Sequence, residues 1–391
     1  MIANKINAFI SEKSESTEIF LLMLQNNCIM EFNLEDYYFK ILQPELLPFS
    51  LRNQIKDSNL SNSFEIIRTL DLVRSFFSKR ILSLSRDNAK LLYGLFGINQ
   101  ANTIKDRVQA CLSCHAVSVG DSYWVKRNTE ALAWENINIR INNLSSIIDV
   151  SLDGQFPSLT TDPEHPDLTT DGLFRKSWIR RDGKLFLIKS DRTNEFINTK
   201  MEVLASEIID CFIGVEHIKY WGEERKTVQG NTIYTCICEN YCTEELSTVH
   251  ASEVMEYCKF LGLDFKHWSL GSFGQKFANI AILDYVLLNT DRHPDNYGFY
   301  FDNHTGEIVS LLPLYDHNLA LIADLAGTAE AASNSLSQMF QDRSTLKQLA
   351  LEMSFYSKLV LDTEKFNRLR ENYPEYEKVF NGVLSRLAFL G

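Results

Sequence analysis

The chain has 391 residues, 45% hydrophobic and 23% charged, with 39 Lys and Arg against 51 Asp and Glu for a net charge of −12. That length exceeds what one compact core usually serves, so about two or three lobes of an ordinary globular protein are expected. The acidic balance argues against direct nucleic-acid binding or an anionic-membrane surface, because those partners are held through clustered Lys and Arg.

The longest uninterrupted apolar run, Ile19 to Leu24, is far short of a membrane span, and the N-terminus shows no secretion signal, so a cytoplasmic protein is expected. In chain order, Ile19–Leu24 reads as a strand, Asn26-Asn27 as a turn and Cys28–Asn33 as a second strand. Helical periodicity follows from Ser63 to Ser78 through Ile66, Leu70, Val73 and Phe77. Residues 1–150 thus form an accessory α/β region. The stretch Cys111–Val125 alternates in strand fashion, and its Tyr123 and Trp124 are expected to be buried. Cys111-Leu112-Ser113-Cys114-His115 has haem-attachment spacing, a use that belongs to exported proteins. Cys236 and Cys238 read as buried strand cysteines, and the eight cysteines of this long chain do not suggest a disulfide scaffold.

Residues 151–174 are loop-like, with Gly154, Pro157, Pro163, Pro166 and Gly172. Two strands, Lys176–Arg180 and Lys184–Lys189, then flank Asp182-Gly183. Lys189 lies on the same face as Leu185 and Leu187. The helix expected over Asn194–Phe212 carries Glu202 beside its apolar stripe, where the carboxylate would be half solvated; Glu195 and Glu207 compete with it as partners for Lys189. A strand follows over Thr232–Glu239. Beyond it the chain turns mainly helical, with Phe273, Phe277, Ile280, Asp284 and Leu287 on one stripe. A buried Asp284 needs hydrogen bonds, and it is expected to brace the loop that follows. Leu321–Ser335, rich in Ala, Gly and Ser, suits a mobile loop, and Leu346–Leu390 reads as two or more helices broken at Asn372-Tyr373-Pro374.

The chemistry concentrates between Asn289 and Asp316. Asn296 follows Asp291 by five positions, and the runs Tyr297–Asp302 and Glu307–Leu312 around Asn303-His304-Thr305-Gly306 read as a hairpin. A hairpin returns its ends to one place, so Asp291, Asn296 and Asp316 should converge. Phosphoryl transfer from ATP needs such a set: a carboxylate to receive the proton of the attacking hydroxyl, and an Asn and a second Asp to hold Mg²⁺. Protein kinases space their catalytic Asp and metal-binding Asn in the same way.

Asn289-Thr290-Asp291-Arg292-His293-Pro294-Asp295-Asn296 and Pro313-Leu314-Tyr315-Asp316 resemble the catalytic and metal-binding motifs of the HipA-like serine/threonine kinases, bacterial enzymes best known from toxin–antitoxin modules. The resemblance covers about residues 168–320. It implies an α+β, bilobal protein-kinase-like fold with a β-rich N-lobe over 151–242 and a helical C-lobe over 243–391. Asp291 would be the catalytic base, and Asn296 and Asp316 the Mg²⁺ ligands. Lys189 and Glu202 would position the ATP phosphates, and Glu239 and Tyr241 would form the hinge beside the adenine. Either Arg292 or His293 would add positive charge near the γ-phosphate. The resemblance also implies autophosphorylation on the phosphate loop, at Thr169 by spacing from Gly172 and Lys176, with Thr170 as the competitor. Phosphate at that position would repel ATP and switch the enzyme off. The loop Asp171–Lys176 is poorer in small residues than the family's. The implied partners are a protein substrate and a small helix-turn-helix antitoxin-like protein. Two other readings compete: a phosphoinositide-kinase-like lipid or small-molecule kinase, since D-R-H-x-x-N also suits that group, and a catalytically silent nucleotide-binding scaffold.

Overall fold

The computed structural model describes residues 18–52, 55, 63–82, 89–95, 103–142, 175–191, 195, 197–227, 229–340 and 342–391. Thr169, Thr170 and the phosphate-loop residues 171–174 lie outside them. The chain divides into two compact units. The first comprises residues up to Arg180 with Cys242–Val249 and Phe301–Ile308; the second comprises Arg181–Tyr241, His250–Tyr300 and Val309–Gly391.

In the first unit, β1 (Phe20–Leu24), β2 (Asn27–Asn33), β3 (Tyr38–Ile41) and β4 (Tyr123–Arg127) form an antiparallel sheet in the order β3-β2-β1-β4. Gln25, at φ +50°, turns the chain between β1 and β2, and a register shift between Leu22 and Met23 bulges the pair. The helix Ser63–Lys79 covers the sheet, with Phe77 stacked on Phe32 at 5.4 Å. Tyr123 and Trp124 are buried as expected.

The strand expected over Cys111–Val125 is corrected. Ile104–Ser113 is a helix, started by a capping box in which Thr103 accepts from the Asp106 N–H and the Asp106 carboxylate accepts in return. Cys111 sits on its buried face, and His115 holds the Val125 carbonyl through Nδ1 at 3.0 Å. A two-ended cap on a periodic apolar face outweighs a short alternating pattern.

The hairpin turn ends at Gly306, whose φ is +70° and where an added Cβ would lie 2.3 Å from the Glu45 carbonyl oxygen. Both the left-handed backbone and the close approach require glycine. Gly306→Ala is therefore expected to lower stability by about 2 kcal/mol. A urea midpoint unchanged from wild type would contradict this.

In the second unit, β6 (Lys184–Ser190), β8 (Thr232–Glu239) and β7 (Tyr220–Lys226) lie side by side in that order, all antiparallel. β5 (Arg175–Arg181) precedes β6 in the chain across Asp182 and Gly183, which adopt φ +49° and +78°. The helix Ile197–Ile209 is capped from outside its own sequence: the Asp191 carboxylate accepts from the N–H groups of Asn198 at 2.9 Å and Thr199 at 2.8 Å. From His250 onward this unit is mainly helical, dominated by Phe265–Val286, which changes direction at Gly274 and buries Phe277, Ile280 and Asp284.

The strands Gly298–Asp302 and Ile308–Leu311 are the arms of the expected hairpin. Its ends meet where the Leu312 N–H donates to the Gly298 carbonyl at 3.0 Å. Leu321–Ser335 is not the loop its composition suggested: it holds the short helices Ile322–Ala326 and Ala329–Ser333. Asp324 in the first is buried and joined by both oxygens to Arg386 of the C-terminal helix Glu377–Leu390, a long-range pairing that composition does not reveal. The tail is helical, with a break at Tyr373-Pro374.

Candidate active site

Lys189 stands near the end of β6, opposite Cys236 of β8. Its ammonium lies 2.7 Å from Glu202 Oε1, 2.9 Å from Asp316 Oδ1 and 3.5 Å from the Tyr220 hydroxyl, whose ring it also overlies. The second oxygen of Glu202 accepts from the Cys236 thiol at 3.3 Å. Burial works against the charge on Lys189, but the nearby carboxylates of Asp316 and Glu202 outweigh it, and the pKa lies well above the ordinary lysine value.

Glu202 is fully buried rather than half solvated, because its helix face is closed by Lys189 and Cys236. Of the three glutamates weighed as partners for Lys189, Glu202 makes the contact. Glu195 is exposed, and Glu207 interacts with Tyr373 instead.

The loop after the long helix is held by its own polar groups. Asn296 Nδ2 donates to the Asp291 carbonyl at 2.8 Å, and the Asn296 N–H to the His293 carbonyl at 2.8 Å. This aims the Asn296 amide nitrogen at the loop and its oxygen away from it. Burial raises the Asp291 carboxyl above its ordinary value; His293 opposes this and the negative Asp316 adds to it. A raised pKa moves a carboxylate toward the range suited to general-base work.

Asp284 braces this loop, accepting from Asn289 Nδ2 at 3.2 Å and from Arg292 Nε at 3.2 Å. Arg292 is thereby corrected as a γ-phosphate contact: it is 1% exposed and fully engaged inside the protein. His293 is the more accessible of the two, with Nδ1 accepting from the Asp295 N–H at 3.3 Å.

Asp316 has φ +58°, a left-handed backbone unusual for a residue with a side chain, and its N–H donates to the Tyr220 hydroxyl at 3.5 Å. Tyr241 stacks on Tyr315 with ring centroids 5.9 Å apart. Both pack with Leu187 against the buried cluster of Val203, Ile218, Tyr220, Cys236 and Cys238. The Glu239 side chain is exposed and paired with Lys184 at 2.8 Å, which leaves only its backbone for a hinge role.

Asn296 and Asp316 form an all-oxygen donor set that suits a hard cation. Among the described residues no group of three or more His, Cys, Asp or Glu is arranged to hold a metal, so a cation here would depend on water and phosphate oxygens, as Mg²⁺ does.

One solved structure shares this arrangement of elements. The HipA of Shewanella oneidensis MR-1, solved with HipB and its operator DNA as a toxin–antitoxin system, matches over 95% of this chain and 96% of its own. The identity is 12% and the TM-score 0.50. The fold is HipA-like. A Helicobacter pylori proinflammatory kinase, CtkA, matches over 55% of this chain and 90% of its own, at 13% identity and a TM-score of 0.39. No protein-family model and no curated protein matches the sequence. This HipA-like α+β fold carries Lys189, Glu202, Asp291, Asn296 and Asp316 in one compact unit. No helix among its described residues is long and apolar enough to cross a membrane.

Three contributions were not foreseen from the sequence: the Tyr220 hydroxyl beside Lys189, the Asp191 cap, and the bond to Glu202 from Cys236, which is a buried strand cysteine as expected. Tyr220 carries no motif. Asp191 could have been found as a helix cap, being an Asp a few residues ahead of a periodic run. Cys236 could have been found from strand alternation, which places it beside Lys189 once β6 and β8 are paired.

Proposed function

We propose that this protein is an ATP- and Mg²⁺-dependent kinase that phosphorylates Ser or Thr hydroxyls of a protein substrate. The carrying observation is the buried Lys189 ammonium held between Glu202 at 2.7 Å and Asp316 at 2.9 Å. A buried cation with two carboxylates can exchange one of them for a phosphate: Glu202 keeps Lys189 in place, and Asp316 would be the carboxylate free to hold a metal. Asp291 receives the proton of the attacking hydroxyl as the oxygen bonds to the γ-phosphorus and the bond to the ADP oxygen breaks. Asn296 and Asp316 would hold Mg²⁺, which supplies charge neutralisation at the β- and γ-phosphates. Tyr241 and Tyr315 offer an apolar surface suited to a nucleobase, and the backbone at Glu239 supplies its polar partners.

Autophosphorylation at Thr169, or at neighbouring Thr170, belongs to this reading as an off-switch, as do a cytoplasmic site of action and a small helix-turn-helix protein partner. Purified full-length protein incubated with radiolabelled ATP and Mg²⁺ is expected to label itself or an added protein fraction, with Asp316→Ala unlabelled and Thr169 or Thr170 among the phosphosites mapped by mass spectrometry. Thermal stabilisation by ATP with no transfer would replace the reading with a nucleotide-binding scaffold. Label appearing only in phosphoinositide vesicles would replace it with a lipid kinase.

A further inference from the structure

Arg292 joins parts of the chain that the sequence keeps apart. Its Nε lies 3.2 Å from each oxygen of Asp284, at the inner end of the long helix. Its Nη1 donates to two carbonyls, that of Asn296 at 2.5 Å and that of Tyr315 at 2.6 Å. Its Nη2 donates to His317 Nδ1 at 3.2 Å. Three of these partners are significant by position: Asn296 is one candidate metal ligand, and Tyr315 and His317 flank the other, Asp316.

We propose that Arg292 is the positioning residue that fixes the separation of the two metal ligands, with Asp284 and His317 holding the guanidinium in register. The inference rests on the assignment of Asn296 and Asp316 as metal ligands. One nitrogen bonded to both carbonyls sets the span between the two backbones, and the planar fork sets their mutual orientation. Lysine has neither the fork nor enough directed donors for four partners. The geometry also settles the His317 tautomer: Arg292 has no acceptor, so Nδ1 presents a lone pair and the ring proton sits on Nε2. The segment Asp316-His317 is thus gripped on both sides of the ligand, and its left-handed backbone at Asp316 is held by the same grip.

The test uses full-length protein with ADP and reads Mn²⁺ binding by the loss of the free-ion signal in electron paramagnetic resonance, which needs no turnover. Arg292→Lys is expected to weaken Mn²⁺ binding by about 10- to 100-fold, the range for residues that orient metal ligands. ADP affinity measured in EDTA should stay within a few-fold of wild type. His317→Leu should weaken Mn²⁺ binding in the same way, whereas His317→Asn, whose amide oxygen replaces the Nδ1 acceptor, should stay near wild type. If Arg292→Lys fails to fold, the His317 pair decides.

Wild-type Mn²⁺ affinity in Arg292→Lys or His317→Leu overturns the inference, as does an equal loss of metal and metal-free nucleotide binding, which marks a merely structural role. Asp316→Ala separates the two levels. Loss of Mn²⁺ there with retention in Arg292→Lys defeats only the role of Arg292, while retention in Asp316→Ala defeats the metal-ligand reading itself.

Discussion

Asp291→Ala is expected to lower the single-turnover rate of phosphoryl transfer by about 10²- to 10⁴-fold, the usual contribution of a positioned general base, and to leave ATP affinity near that of wild type. The separation of effects follows from what each group touches. The bond that holds the loop runs from Asn296 Nδ2 to the main-chain carbonyl of Asp291, which alanine keeps. The brace between Asp284 and Arg292 lies behind the loop and does not involve the Asp291 side chain. Lys189, Glu202 and the Tyr241–Tyr315 stack are untouched by the substitution, so the groups proposed to bind nucleotide remain. Rapid-quench measurement of transfer, paired with titration of a fluorescent ATP analogue, separates rate from binding. Full activity in Asp291→Ala would remove Asp291 from the chemistry. Loss of nucleotide binding in step with activity would show that its side chain builds the site rather than acting in it.

Asp324→Leu is expected to destabilise the protein by about 3–5 kcal/mol, the range for removing one partner of a buried ion pair. Asp324 and Arg386 are both buried and meet through two bonds of 2.8 and 2.7 Å, while Arg386 Nε donates to the Val286 carbonyl at 2.7 Å. Removing the carboxylate leaves a guanidinium in the interior with one remaining partner. The cost is that of an unpaired buried charge more than of the lost attraction. Asp324→Leu combined with Arg386→Leu should recover much of the loss, because no charge is then left behind, though the Val286 carbonyl gives up its donor. Space is tight, since a Cβ at Gly382 would lie 2.5 Å from Asp324 Oδ1. Urea unfolding of the two single variants and the double variant measures the coupling. A double variant less stable than either single one would mean that the pair stabilises beyond satisfying its own charges. The pair matters for the site because it ties the C-terminal helix to the segment after Asp316 and to the end of the helix that precedes the loop of Asp291.

What the sequence determined by itself was local. The D-x-x-x-x-N spacing, the apolar helix before it and the turn at Asn303–Gly306 are written within one continuous stretch from Phe273 to Gly306, and each depends on backbone rules that act over a few positions. Strand alternation likewise turned Lys189 to the face of Leu185 and Leu187, and a helical period of 3.6 ran along the long helix through Phe277 and Ile280 to Asp284. These signals sufficed for a chain of mixed strands and helices and for expecting three oxygen-bearing side chains at one place, while the kinase-like fold came from the resemblance of the motifs at Asn289–Asn296 and Pro313–Asp316.

Only the tertiary structure decided between residues that local rules leave equal. Glu195, Glu202 and Glu207 share one helical region and one chemistry, and Glu202 alone meets Lys189 because β8 brings Cys236 against the same face. Arg292 and His293 are neighbours, and either suited a phosphate. The arginine turned inward because Asp284, Asn296, Tyr315 and His317, drawn from separate segments, together satisfy its guanidinium. Residues 321–335 looked mobile by composition and were ordered by Arg386, some sixty positions away. Burying a charge is favourable only where its partners are already assembled, and that assembly is a property of the fold and not of any stretch of sequence.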